Sequence, residues 1–402
     1  MESASALAEA PPCREFIGEA AVPFWERING DGARRVYRLE GGYLLTSFRD
    51  CRAVLMNPAL RKANIDILQQ MPGIDPAFVA RRRHALLDME GANHLRLRRL
   101  AAPALSGSVG DHFRPHMQNI ITGLVEAVVA EGRCEAGAAL CRPYPIPVVC
   151  AVLGVPAEQV AMFTRCAEAW TRWIREGVAG VPAAMAAHEE MDAYLSDLVA
   201  RRRSDPGPDL ITALIRSQEE SDRLTTDEII HLVGGLVVAG TDTTRMALGS
   251  ALYLFAHHPD QWTALGEDPT LAAAATEEVL RYAPVSALLR RTAVEDVVVE
   301  GLAFPAGTTI FISPATANRD PAFYPEPDRF SIFRQSPRQH QTFGGGRKSC
   351  LGAHLARAEL QEALIVLSQR LPCLALDGEP AWAPPRSLLQ GATRMPIRWA
   401  AC

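Results

Sequence analysis

The chain has 402 residues, 48% hydrophobic and 22% charged, with a formal net charge of −5. This supplies a large apolar core and excludes a general nucleic-acid binder, because no positive field recruits phosphates. No stretch approaches the ~20 uninterrupted apolar residues of a membrane span. The N-terminus MESASALAEAPPCREFIGEA carries acids and prolines instead of a signal peptide's basic and apolar regions, so a cytoplasmic protein without a membrane anchor is expected. Nine scattered cysteines include no C-x-x-C pair. They point to reduced thiols and away from a disulfide framework or a zinc ribbon.

In chain order, two short β segments come first, Val36–Leu39 and Tyr43–Thr46. The gap between them, Glu40-Gly41-Gly42, suits a hairpin. From about Leu95 to Gln261 the pattern is mostly helical. Breaks are expected at Gly110, Pro143–Pro147, Gly177–Pro182 and Asp205–Pro208, each rich in turn formers. Residues 225–258 read TTDEIIHLVGGLVVAGTDTTRMALGSALYLFAHH. Thr225 and Glu228 have capping-box spacing, and Pro259 supplies the stop. That predicts a helix of roughly 50 Å, apolar on most faces and crossing the interior. Residues 293–313 return to β, with a turn at Ala306-Gly307. After Cys350 a helix is predicted to about Leu371, on a stripe of Leu351, Leu355, Leu360, Leu364, Leu367 and Leu371. The tail LLQGATRMPIRW reads as a final hairpin. The fold class is mainly α with small β-sheets at the edges.

Polar residues interrupt the long helix at its centre. Ala239-Gly240 removes bulk, and Thr241-Asp242-Thr243-Thr244 places a carboxylate and three hydroxyls there. In one reading the helix surfaces and Asp242 is solvated. In the other a small bulge or groove lies beside a ligand, where Asp242 and Thr243 handle protons. Residues 277–284, EEVLRYAP, put Glu278 and Arg281 on one helix face. Such a pair is usually a surface salt bridge worth little. If Arg329 of PEPDRF (325–330) joins it, the three form a network able to lock a loop.

Cations recur elsewhere. His94 and Arg98 of HLRLRR share a helix face. Arg290 and Arg291 follow VSALL, and Lys348 precedes Cys350 by two residues. Each alone reads as a solvated basic face. Together they can converge on a ligand with two carboxylates. Finally, FGGGRKSCLG (343–352) sets three glycines, which cost backbone entropy, and two cations before one sulfur.

These segments, with ANRDP at 317–321, resemble the cytochrome P-450 family of haem-thiolate monooxygenases in order and spacing over about residues 94–400. The resemblance implies the cytochrome P-450 fold, a single catalytic domain over residues 1–402 with a long central helix over a buried haem. The first 20 or so residues are expected to be flexible. It implies haem b (iron protoporphyrin IX), with Cys350 as the thiolate axial ligand to iron, an arrangement that favours O–O cleavage. By the same resemblance Phe343 shields the sulfur, and Gly344 and Gly352 let the backbone approach the macrocycle. The following helix adds a favourable dipole. His94, Arg98, Arg291 and Lys348 match propionate contacts. Asp242 and Thr243 match the proton-delivering pair, and Glu278, Arg281 and Arg329 the structural network. Two departures stand out. Lys348 occupies a position usually His or Arg, keeping the charge without the planar fork. Met89-Glu90-Gly91-Ala92-Asn93 replaces an Asp-Pro-Pro-Glu type turn.

The segments that line the pocket in this family are largely apolar here. They include Val238, Ala239, Val285, Ser286, Leu288 and Leu389, together with the stretches 64–88 and 163–186, in which Trp170 and Trp173 can equally be core packing. A hydrophobic small-molecule substrate is expected, oxidised with one atom of O₂. No flavin or iron–sulfur motif is present. Electrons are therefore expected from NAD(P)H through a ferredoxin reductase and a ferredoxin, docking on a basic face of Arg334, Arg338, Arg347 and Arg96–Arg99. The alternatives are a peroxide-using or rearranging haem-thiolate enzyme and a haem-based sensor or carrier. Neither needs the Asp242-Thr243 pair.

Overall fold

The computed structural model describes residues 7, 10, 35–217, 224–334, 339–383 and 388–400. Of the N-terminal segment expected to be flexible, only Leu7 and Ala10 fall within these, and both are buried in an apolar cluster. The long central helix spans Thr226–Ala256. Its capping box forms as the sequence predicts: Glu228 N–H donates to Thr225 Oγ1 at 3.2 Å, and Thr225 N–H to Glu228 Oε2 at 2.8 Å. Pro259 opens the next helix, Pro259–Glu267. The central helix packs against helices Pro145–Leu153, Val181–Ser204 and Ala353–Arg370, and its apolar positions join the largest core cluster.

Twelve short strands are present among the described residues: β1 (Val36–Leu39), β2 (Gly42–Leu45), β3 (Leu60–Arg61), β4 (Arg133–Glu135), β5 (Leu289–Ala293), β6 (Val297–Val299), β7 (Leu302–Phe304), β8 (Thr309–Ile312), β9 (Ala375–Leu376), β10 (Ala381–Trp382), β11 (Ala392–Arg394) and β12 (Pro396–Arg398). The main sheet has order β1-β2-β8-β5-β3, with β2 and β8 parallel. The β1–β2 turn is one residue tighter than the spacing suggests, because Leu39 pairs with Gly42. Arg290 and Arg291, expected just before a strand, lie within β5, where pairing to β8 aligns Arg291 with Ile310.

Three expectations are corrected. The tail is not a hairpin: β11 pairs with β10, while β12 pairs with β4 and β9. Partners distant in sequence supply ladder bonds that local pattern cannot show. Helix Gly107–Glu126 runs unbroken through Gly110, where packing against the helix after Cys350 overrides local propensity. Cys373 is disulfide-bonded, so not every thiol is reduced.

Candidate active site

The loop before Cys350 is held from several sides. Cys350 N–H donates to Phe343 C=O at 2.8 Å, and Gly344 N–H to Gln341 C=O at 2.9 Å. Gln341 N–H donates to Asn318 Oδ1 at 2.7 Å. The glycines serve a purpose the sequence did not show. A Cβ at Gly346 would lie 2.6 Å from Leu55 C=O, and one at Gly345 would lie 3.1 Å from Leu55 Cβ. Gly346 also has φ +62°. Bare backbone at Gly345 and Gly346 lets the loop press on helix Phe48–Met56, a contact within the protein. A macrocycle is not needed to explain those two.

Cys350 is the exposed member of the free cysteines described. Protein packed around it pushes its thiol up, while the Gly352 amide and then Arg98, Arg357 and Lys62 pull it down. Gly352 caps helix Ala353–Arg370, and its contribution is this amide. Arg98 donates to Ser349 Oγ at 2.8 Å, bringing its charge beside the sulfur.

Three of the four expected anion contacts gather on one side of this loop. His94, Arg291 and Lys348 line one pocket with Glu90. Burial beside Lys348 lowers His94 to about 4, so the ring is neutral. Burial also lowers Arg291 and Lys348. Lys348 Nζ pairs with Glu90 Oε1 at 3.2 Å and donates to Met89 C=O. Lys62 completes the cluster, lowered to about 8 by burial and by Arg291. No spacing marked Lys62 in the sequence; β3 delivers it. Three cations, Arg291 buried and Lys62 and Lys348 half-buried, face Asp88 and Glu90, an excess of positive charge suited to an anion.

On the central helix, Asp242 Oδ1 pairs with Arg245 Nη2 at 3.0 Å. Thr243 Oγ1 donates to Ala239 C=O at 2.7 Å, and Thr241 Oγ1 to Val237 C=O at 2.6 Å. These back-bonds offer the carbonyls a second donor. The helix nonetheless stays α throughout, which removes the bulge from the bulge-or-groove reading. A Cβ at Gly240 would lie 3.3 Å from Val149 Cγ2, so that glycine admits the neighbouring helix. Thr244 is buried and bonds Glu359, a fully buried carboxyl pushed up to about 8 by desolvation.

The structural network forms with a different third arginine. Arg281 and Glu278 are both fully buried and joined by bonds of 2.7 and 2.9 Å. Arg281 also donates to Asn318, Pro327 and Arg329 carbonyls. The guanidinium of Arg329 points outward to Glu326, both side chains being about two-thirds exposed. Only its carbonyl belongs to the network. Arg334 reaches Glu278 at 3.3 Å instead. The turn at Glu326, with φ +47°, directs Arg329 away, and the following turn returns Arg334. Arg334 is thus largely withdrawn from any docking face, and Arg338 lies outside the described residues.

Of the expected pocket positions, Val238 packs with Leu68, Phe78 and Trp170. This joins the stretches 64–88 and 163–186 to the central helix. Ala239 is exposed and Val285 buried. Ser286 and Leu389 form a β-bridge, and Gln390 N–H donates to Val285 C=O at 2.7 Å. Leu288 is corrected: it packs on the sheet with Tyr37 and Leu44, on the face opposite in strand alternation to Leu289.

The fold thus sets a long central helix against the helix that follows the cysteine loop. A family model described as Cytochrome P450 matches residues 179–382. The chain is 36% identical to the Cytochrome P450 monooxygenase PikC of Streptomyces venezuelae, over 94% of this chain and 90% of that protein. It is 35% identical to a mycinamicin IV hydroxylase/epoxidase of Micromonospora griseorubida, over 90% of each. Among solved structures, the mixed-function P450 MycG superposes with TM-score 0.82 at 32% identity, covering 97% of this chain and 100% of that one. The chain belongs to the cytochrome P-450 family and is a bacterial-type monooxygenase. Membership implies a haem with a cysteine thiolate ligand, O₂, and redox partners that supply electrons. Among the described residues, no helix is long and apolar enough to cross a membrane.

Proposed function

We propose that Cys350 is the thiolate ligand of haem b in a single catalytic domain, which oxidises a hydrophobic small molecule using O₂. The carrying observation is the setting of Cys350, accessible and flanked by Arg98 and a buried cation cluster. The residues present fit the group: one sulfur supplies an iron ligand, and Arg98, Arg291, Lys348 and Lys62 supply charge for two propionates. His94, neutral as it stands, donates a hydrogen bond to a propionate without adding charge. When bound, the haem supplies the iron chemistry that cleaves O₂.

The chain's residues do the rest. The loop and Phe343 cover the sulfur side. Asp242, held by Arg245, takes protons from solvent, and Thr243 passes them inward when its hydroxyl turns from Ala239 C=O. Val238, Ala239, Val285, Ser286 and Leu389 present a mainly apolar surface to substrate, with Ser286 as a polar anchor. Electrons come from NAD(P)H through a separate ferredoxin reductase and ferredoxin. The Asp242–Thr243 pair favours this cycle over a peroxide-using enzyme or a haem sensor. The test is the reduced, carbon monoxide-bound spectrum. The wild type gives the red-shifted thiolate Soret band, and Cys350→Ser abolishes it. A band that persists in Cys350→Ser rejects the ligand.

A further inference from the structure

Glu277, next to the network residue Glu278, anchors a second buried cluster, which reaches the cysteine loop through Arg357. Its carboxylate receives Arg357 Nε at 2.5 Å, Arg357 Nη2 at 3.0 Å and His340 Nε2 at 3.1 Å. The Glu277 and His340 side chains are almost fully buried, and Arg357 is 24% exposed. Thr342 N–H donates to His340 Nδ1 at 3.3 Å. Nδ1 is therefore the acceptor and Nε2 carries the proton toward Glu277, leaving the imidazole neutral. The cluster holds one negative and one positive charge. Glu277 is held down at about 2 despite its burial, by its bonds to His340 and Arg357.

The positive end faces the cysteine loop. Arg357 Cζ lies 4.5 Å from the centroid of the Phe343 ring, a cation–π distance. The carbonyl of Phe343 accepts from Cys350 N–H. Arg357 thus meets the loop directly through the Phe343 ring, whereas the Glu277 carboxylate is bonded to Arg357 and His340. Two opposite charges stand beside the loop that carries the sulfur, the positive one against the Phe343 ring, in a buried setting where screening is weak.

We propose that Glu277, Arg357 and His340 form an ionic set that positions Phe343 and tunes the haem–thiolate centre, with Arg357 as the active charge and Glu277 as its counterweight. This rests on the reading of Cys350 as the haem ligand. Adding an electron to the centre is favoured by nearby positive charge. Removing Glu277's charge leaves Arg357 uncompensated and raises the midpoint potential. Removing Arg357's charge lowers it. His340 keeps Glu277 in place through its fixed tautomer and is a positioning residue.

The experiment is spectroelectrochemical titration of purified, haem-loaded wild type, Glu277→Gln, Arg357→Gln and Arg357→Lys. The expected result is a rise for Glu277→Gln, a fall for Arg357→Gln, and a potential near wild type for Arg357→Lys. Shifts of the same sign in the two Gln variants, or none, overturn the proposal, because a packing role has no reason to give opposite signs. If Glu277→Gln does not load haem, the two Arg357 variants decide. A fall with Gln and not with Lys supports the set, and equal values reject it. Cys350→Ser is measured alongside. If it keeps the thiolate band, the ligand reading falls. If it loses the band while the other potentials stay fixed, only the ionic set falls.

Discussion

Lys348 and Glu90 form an ion pair of 3.2 Å at the edge of the cation cluster. The lysine that departs from the family's usual His or Arg is therefore partly neutralised by the glutamate of the equally unusual segment before His94. Burial lowers Lys348 and Glu90 offsets this. On the proposed reading of Lys348 as a propionate contact, an arriving propionate competes with Glu90 for the same ammonium. Glu90→Gln should destabilise the haem-free protein by about 1–3 kcal/mol, since Lys348 loses its counter-charge. The same variant should hold haem longer, since a competing negative charge is gone. Thermal unfolding of the haem-free form and haem transfer to an acceptor globin measure the two effects. Faster haem loss would show that Glu90 supports the propionate contact instead of opposing it.

Arg334 and Arg329 should behave differently, despite lying five residues apart. Arg334→Ala removes a guanidinium from a buried carboxylate and should cost about 1–3 kcal/mol, with Arg281 still pairing Glu278. Arg329→Ala touches only an exposed pair and should change stability by no more than about 0.5 kcal/mol. Denaturant melts of both variants make the comparison. A larger loss for Arg329 would restore it to the network.

Thr243→Ala should leave haem binding intact and uncouple NAD(P)H consumption from product. Asp242→Asn should slow product formation by about 10²-fold, the low end for a positioned proton-transfer group. Stoichiometry of NAD(P)H, peroxide and product reads both. Full coupling in Thr243→Ala would place the proton path elsewhere.

Glu359 gives a pH dependence of defined sign. Its folded-state value is raised to about 8 by complete burial, above the ordinary 4.5 of an unfolded chain. Between these values the unfolded state has released the proton and the native state retains it. Stability therefore falls as pH rises from about 4.5 to 8. Glu359→Gln keeps an acceptor for Thr244 and removes the titration. Relative to wild type it should gain on the order of 2–4 kcal/mol between pH 5 and pH 8. Melting temperatures across that window check this, and parallel curves for the two proteins would reject it.

Much of the site was legible because its chemistry is local. The stretch FGGGRKSCLG, the Asp242-Thr243 pair and the Glu278–Arg281 spacing each sit within one turn or one loop, so residue order constrains them directly. The capping box at Thr225 and Glu228 formed for the same reason. Contacts between distant segments were not legible. Lys62 carries no motif and joins Arg291 and Lys348 only through the sheet. Glu277 carries no motif of its own, and only the fold brings His340 and Arg357 to it from two other segments.

Sequence by itself determined the family and singled out the cysteine and the Asp242-Thr243 pair as candidates, because those rest on residue types at short fixed spacing. Tertiary structure decided which charges meet. It gave Glu278 to Arg334 in place of Arg329 and Lys348 to Glu90, and it used Gly345 and Gly346 to seat the loop on Leu55. The physical reason is common to all three. A guanidinium, an ammonium or a bare backbone can serve many neighbours, and only the packed chain fixes which one lies within hydrogen-bonding or van der Waals reach.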